Sequence, residues 1–138
     1  MLCGRLPTLS LLSLREVTSL TEDGLRAVGG LTTLTSLYFH NCPNVTDVVL
    51  RELRDLTSLS KLSLGGCSHV TDVGVRELRG LTKLTTIYLV GCTHVTDVGI
   101  RHLSSLSALA MLHLYDTSTT HAGRNALKAA LPALTTRM

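Results

Sequence analysis

The sequence repeats itself with a period of 25 residues, and this period restricts the fold more than any other feature of the chain. The clearest copies read "GCSHVTDVGVRELRGLTKL" at residues 66–84 and "GCTHVTDVGIRHLSSLSAL" at residues 91–109. A unit of this length cannot bury its own apolar residues. Neighbouring units must therefore stack against one another and share a core.

The period divides the chain into one domain, residues 1–138, of five units and a C-terminal stub. The units are residues 6–30, 31–55, 56–80, 81–105 and 106–130, and the stub is residues 131–138. They begin at equivalent leucines: Leu6, Leu31, Leu56, Leu81 and Leu106. The fifth unit is about one residue shorter in its loop. A chain of 138 residues is long enough for one domain with a substantial core.

Each unit changes its apolar spacing halfway along. The first half alternates apolar and polar residues, which predicts a short strand with one buried face. The second half spaces them three apart, as at Val75 and Leu78, which predicts a short helix. Thr71 is suited to cap this helix, Asp72 would lie in its first turn, and Gly80 is placed where it would stop. The sequence therefore predicts an α/β solenoid with parallel strands on a concave face and helices on a convex face.

The pattern L-x-x-L-x-L-x-x-C-x-x-V-T-D-x-G occurs at residues 59–74 and 84–99. It resembles the leucine-rich-repeat family, specifically its cysteine-containing subtype, and the resemblance covers residues 6–131. It implies a right-handed, horseshoe-shaped solenoid with a parallel sheet on the concave face. The first and fifth units depart from the pattern, with Val17 and Thr117 at the cysteine position, as expected of terminal repeats.

The resemblance implies a protein-binding scaffold. Similar repeats form the substrate-recognition part of F-box adaptors of ubiquitin ligases, and they also occur as stand-alone binding modules. The sequence contains no F-box-like helical segment. The alternative to an adaptor is a free-standing structural module, which we expect to self-associate as a homo-oligomer through an uncapped N-terminal end.

Cys67, His69, Cys92 and His94 resemble a set of zinc ligands because both copies contain Cys-x-His. However, the cysteine position is filled by Val or Thr in the terminal units, which favours a small, buried side chain with a weak S–H donor. The histidines would lie two residues further on, in a surface turn, so the four side chains would not converge on one ion. We therefore predict no metal site and no cofactor.

Composition narrows the function further. The net charge of +3 is too small to argue for nucleic-acid binding, and no apolar run is long enough to span a membrane. No nucleophile–base pair, paired catalytic carboxylates or phosphate-binding glycine loop stands apart from the repeat, so we expect a protein that is not an enzyme. The start of the chain lacks a signal-peptide cleavage pattern, which predicts a cytoplasmic or nuclear protein whose cysteines, Cys3 included, stay reduced.

The strand positions that flank the buried leucines would form columns on the concave face. All three tyrosines of the chain fall in these columns, whereas Phe39 points into the core. Tyrosine is a common anchor in protein interfaces. The predicted partner-binding residues are Tyr38, His40, Tyr88, Val90, Met111, His113 and Tyr115.

A second column, on the convex face, repeats an arginine with the same period. Its members are Arg26, Arg51, Arg76 and Arg101. Such a column could receive an acidic segment or a phosphate group. A solvated helix face is the simpler interpretation, because Glu52 and Glu77 are interleaved with the arginines.

Overall fold

The structure is a computed structural model that describes residues 9–138. Cys3 and the predicted unit start at Leu6 lie outside the described residues. The strands form one six-stranded parallel sheet whose order follows the chain. They are β1 (Leu11–Arg15), β2 (Ser36–His40), β3 (Lys61–Gly65), β4 (Thr86–Tyr88), β5 (Met111–His113) and β6 (Thr135–Arg137).

A helix follows each of the first five strands. The α-helices are α1 (Glu22–Gly29), α2 (Asp47–Glu52), α3 (Asp72–Arg76), α4 (Asp97–Arg101) and α5 (His121–Ala130). Short 3-10 turns at Leu53–Asp55, Glu77–Gly80 and His102–Ser105 extend α2, α3 and α4. Thr71 caps α3 by accepting a hydrogen bond from the backbone N–H of Val73, as the sequence predicted. None of the helices within residues 9–138 is long and apolar enough to cross a membrane.

Strand pairing keeps the 25-residue register of the sequence. Leu12, Leu37, Leu62, Ile87 and Leu112 are successive partners across the sheet. From Leu37 onwards these side chains are completely buried, as is Phe39, and they form a single core with the inward-facing residues of the helices. The fold of the described residues is thus a stack of strand–helix units.

The C-terminal stub was not expected to form a strand. Residues 135–137 nevertheless pair with β5 as β6, with Leu112 opposite Thr136. Leu127, Leu131 and Leu134 are buried and cover this end of the core. The spacing from Met111 to its partner Thr135 is one residue less than the period, which reflects the shorter loop of the fifth unit.

In each of the first five units, a residue one to three positions after the end of the strand has a left-handed backbone. These residues are Glu16, Asn41, Gly66, Gly91 and Asp116, with φ angles of 52°, 51°, 72°, 78° and 55°. This region is easily reached by Gly and tolerated by Asn and Asp, but it is costly for Glu. The repeat therefore imposes the same turn on every unit, including units whose residue does not favour it.

The first aspartate of three successive helices binds the unit that follows. Asp47 accepts hydrogen bonds from the backbone N–H and the hydroxyl of Thr71, at 2.8 and 2.5 Å. Asp72 binds Thr96 and Asp97 binds Thr120 in the same way. The two hydrogen bonds from Thr120 lower the pKa of Asp97. We call this set of three Asp–Thr pairs the aspartate ladder.

A glycine makes room for each carboxylate of the ladder. A Cβ atom added at Gly123 would lie only 2.1 Å from Cγ and Oδ1 of Asp97, and Gly74 and Gly99 are equally close to their aspartates. The first two units differ. Glu22 replaces the aspartate, Val49 replaces the glycine, and Thr46 makes no side-chain hydrogen bond at its helix cap. Glycine is therefore present at the three positions that an aspartate reaches, whereas Val49 takes this position in the unit that follows Glu22.

This arrangement predicts that the stability lost on replacing the glycine by a larger residue depends on whether the aspartate is present. We expect Gly123→Ala to lower the free energy of unfolding by about 1–3 kcal/mol because the new methyl group collides with Asp97. In an Asp97→Ala background the same change should be neutral or stabilising by up to about 1 kcal/mol, since Ala favours helix over Gly. Urea unfolding of the four proteins measures both effects.

Gly80→Ala is the matched control, because nothing lies within 4 Å of a Cβ atom at Gly80. It should change the stability little. If Gly123→Ala lowered the free energy of unfolding equally with and without Asp97, the proposed contact between the two residues would be wrong.

Candidate functional site: the concave face

The outward positions of the strands form the columns expected from the sequence. We call the sheet surface that points away from the helices the concave face. Tyr38, Ser63, Tyr88 and His113 are successive partners in one column. Ser36, Lys61, Thr86 and Met111 form the column beside it. The predicted partner-binding residues are therefore brought onto one surface.

Tyr88 and His113 form a stacked pair at the centre of this surface. Their ring centroids are 4.4 Å apart and their planes are 18° from parallel. Burial lowers the pKa of His113, and the charge of Arg137, its partner on β6, lowers it further. A neutral imidazole at pH 7 is suited to stacking on a tyrosine ring. The pair presents one continuous half-buried aromatic surface.

The remaining candidates border this pair. His40, Val90 and Met111 are partly buried on the concave face, whereas Tyr115 is 47% exposed. The backbone N–H of Gly91 donates to the carbonyl of Tyr115, which keeps Val90 and Tyr115 on adjacent units. Tyr38 lies two strands away from Tyr88, about 10 Å at normal strand spacing. The candidates thus form two groups on either side of β3.

A depression of about 370 Å³, which we call the notch, separates the two groups. Ser63 and Gly65 of β3 line it, with His40 on one side and Tyr88 and Val90 on the other. The notch was not predicted from the sequence because small residues form its floor. The sequence nevertheless indicates its position, because the third unit has small residues, Ser63 and Gly65, in both columns where its two neighbouring units have Tyr, His or Val.

A second depression, of about 590 Å³, lies on the loop side of the first units and is lined by Leu20, Glu22, Thr46 and Val49. This is the place where the aspartate ladder is missing. Asn44 joins the two units here instead, because its side-chain amide donates to the carbonyls of Thr18 and Leu20 at 2.9 Å. We attribute this depression to the missing contact between the first two units.

The cysteines and histidines of the suspected zinc set point to different places. Cys67 and Cys92 are buried, and burial raises their pKa values to about 11 and about 12. His69 and His94 are exposed in turns, and His94 Nδ1 lies 3.0 Å from the carbonyl oxygen of Ser68. Within residues 9–138, no three His, Cys, Asp or Glu side chains are close enough to share a metal ion.

The thiols act as weak hydrogen-bond donors inside the core. The sulfur of Cys92 lies 3.1 Å from the carbonyl oxygen of Leu64, and that of Cys42 lies 3.4 Å from the carbonyl oxygen of Leu14. In the fifth unit the hydroxyl of Thr117 donates to the carbonyl of Leu114 at 2.9 Å. From the second to the fifth unit, this position therefore holds a small side chain that donates to a backbone carbonyl.

The arginine column lies on exposed positions of the helices. Arg26, Arg51, Arg76 and Arg101 are all exposed. Arg26 lies within 4 Å of three carboxylates, those of Glu22, Asp23 and Glu52. Exposed ion pairs of this kind contribute little stability.

Solved structures similar to this chain include two proteins of Listeria monocytogenes. An internalin covers 98% of this chain at 17% identity with a TM-score of 0.54, and an internalin C2 covers 96% at 22% identity with a TM-score of 0.50. The chain spans 49% of the first protein and 72% of the second. No protein-family model matches the sequence, and no curated protein matches it significantly. The chain has the α/β leucine-rich-repeat solenoid fold that its sequence predicted.

The burial of the thiols predicts slow alkylation. In a Cys3→Ser background, we expect iodoacetamide at pH 8 to modify Cys67 and Cys92 only when the protein unfolds, because both are buried and have raised pKa values. Mass spectrometry in buffer and in urea measures the modification. Native modification as fast as that of a free cysteine peptide, or zinc retained at one equivalent per chain, would contradict this placement.

Proposed function

We propose that this chain is a non-enzymatic scaffold that binds a protein partner on its concave face. The observation that carries the proposal is the stacked pair of Tyr88 and His113 beside the exposed Tyr115. Rigid aromatic side chains bury a large area and lose little conformational entropy on binding. Exposed aromatics gathered on one face of a protein are a common sign of an interaction surface.

The proposed contact residues are the seven on the concave face. Tyr88, Val90, Met111, His113 and Tyr115 form the main group, and Tyr38 and His40 form the secondary group. The arginine column on the convex face is a weaker candidate, because it consists of exposed charges and its first member, Arg26, is already near three carboxylates.

We treat the chain as one domain of five units with the bounds given above. The resemblance of its repeat to known families supports two biological roles for this scaffold. One is the substrate-recognition part of an F-box-type adaptor in the cytoplasm or nucleus, and it requires an adaptor-binding domain encoded in the same gene. The other is a free-standing module. Reading the full-length gene distinguishes them.

Self-association is a second candidate function, and the first unit favours it. Leu12 and Leu14 are only partly buried, in contrast to the fully buried apolar residues at the equivalent positions of the central units, and the outward-facing Leu11 of the same strand is 54% exposed. Within residues 9–138, β1 pairs with β2 alone. A second copy meeting this edge would cover the apolar surface. Light scattering at increasing protein concentration measures this association.

We expect Tyr88→Ala with Tyr115→Ala to abolish partner binding, because truncating two aromatic anchors typically weakens an interface by tenfold or more. Affinity capture from a lysate of the source organism, with quantitative mass spectrometry, compares this variant with the unaltered protein. Arg76→Glu with Arg101→Glu serves as the control and should retain the partner. A partner retained by the tyrosine variant and lost from the arginine variant would move the site to the convex face.

A further inference from the structure

We propose that the notch over β3 receives one aromatic side chain from an acidic segment of the protein partner. This inference rests on the proposed function, because it requires the partner to lie on the concave face. It adds two details to that function: the chemical character of the partner segment and the position on the concave face where its anchoring side chain binds. Three features of the notch carry the inference: its shape, its floor and the charge around it.

The notch has the width of one strand. Its side chains come from β2 on one side and from the fourth unit on the other. The backbones that carry these two walls are two strand spacings apart, which is about 10 Å. The ring of Tyr88 and the side chain of Val90 make one wall, and His40 makes the other. An aromatic ring prefers to enter between such groups because it can stack on Tyr88 or His40 and cover Val90.

Gly65 lies at the floor of the notch and contributes no side chain to it. This glycine is buried at the foot of the notch, where a Cβ atom would lie 3.4 Å from Nδ1 of His40 and 3.5 Å from Oγ of Ser63. These are ordinary contacts, and the φ angle of Gly65 is not left-handed, so the backbone itself would accept a side chain. The equivalent positions in the neighbouring units hold His40 and Val90. A partner's side chain would occupy the volume that this unit leaves empty.

The charge around the notch is positive. The outward positions of the six strands carry Arg15, Lys61 and Arg137, and no Asp or Glu. Glu16 directly follows Arg15 of β1, and Asp116 lies three residues after the end of β5. Lys61 is exposed on β3 itself, two residues from Ser63. A partner segment rich in Asp and Glu is complementary to this surface.

Single-stranded nucleic acid is the competing ligand, since it also combines negative charge with planar rings. Three cations spread over six strands make a sparse contact surface for a phosphate backbone, and the net charge of the chain is only +3. The observations therefore favour a protein segment, and an oligonucleotide becomes one arm of the test.

The test uses fluorescein-labelled nine-residue peptides and fluorescence anisotropy. The first peptide alternates Asp and Glu with Phe at its centre, the second has Ala in place of Phe, and the third has Lys in place of the acidic residues around Phe. We expect the acidic Phe peptide to bind about tenfold more tightly than the acidic Ala peptide, as for a typical anchor residue. The Lys peptide should not bind.

Gly65→Leu fills the notch and should reduce the preference for Phe over Ala to less than twofold. Gly65→Ala should reduce it partly, and it serves as the milder variant if the leucine perturbs folding, which urea unfolding reports. Gly80→Leu is the matched control on the other side of the molecule, where a Cβ atom meets nothing within 4 Å. It should leave the preference unchanged. Lys61→Glu should weaken binding of both acidic peptides to a similar degree.

Three results would overturn the proposal: no binding of the acidic Phe peptide, an unchanged Phe preference in both Gly65 variants, or tighter binding of a ten-nucleotide oligo-dT than of the peptide. Affinity capture of the partner distinguishes failure of the notch proposal from failure of the proposed function. A partner lost from the tyrosine variant but retained by Gly65→Leu would reject the notch and keep the concave face. A partner retained by the tyrosine variant would reject the concave face itself.

Discussion

Each unit of this chain can bury its leucines only against the next unit, and the rest of the structure depends on that contact. The apolar strand residues and the helix residues of a single unit leave one side uncovered. Stacking at a constant spacing joins them into one core and places chemically equivalent residues above one another. The aspartate ladder adds directional hydrogen bonds to this apolar contact at three of the unit boundaries.

The same register turns small differences between units into surface features. Replacing a large residue by Gly65 in one unit has little effect on the core, yet it opens the notch between the two groups of aromatic and histidine side chains. Replacing Asp by Glu22 in the first unit has a comparable result on the loop side, where a depression separates the first two helices. In a regular solenoid, the departures from the repeat are therefore the places to look for specificity.

Much of the fold could be predicted from the sequence because the repeat fixes the positions of Leu12, Leu37, Leu62 and their equivalents. The burial of the cysteines and of Phe39 followed from the same pattern. The strand at 135–137 could not be predicted, because its residues Thr135 and Thr136 lack the apolar alternation and gain their conformation from pairing with β5. The bonds from Asp47 to Thr71 and the notch at Gly65 were also missed, since both arise between units and not within one.

Chemical-shift mapping is the most direct test of whether recognition takes place on the concave face. Uniformly ¹⁵N-labelled protein would be titrated with the acidic Phe-centred peptide while its backbone amide resonances are followed. We expect the largest shift changes to cluster at residues 38–41, 61–66 and 88–91. Changes that cluster instead in the helices at 97–105 and 121–130, with the strands unaffected, would contradict it.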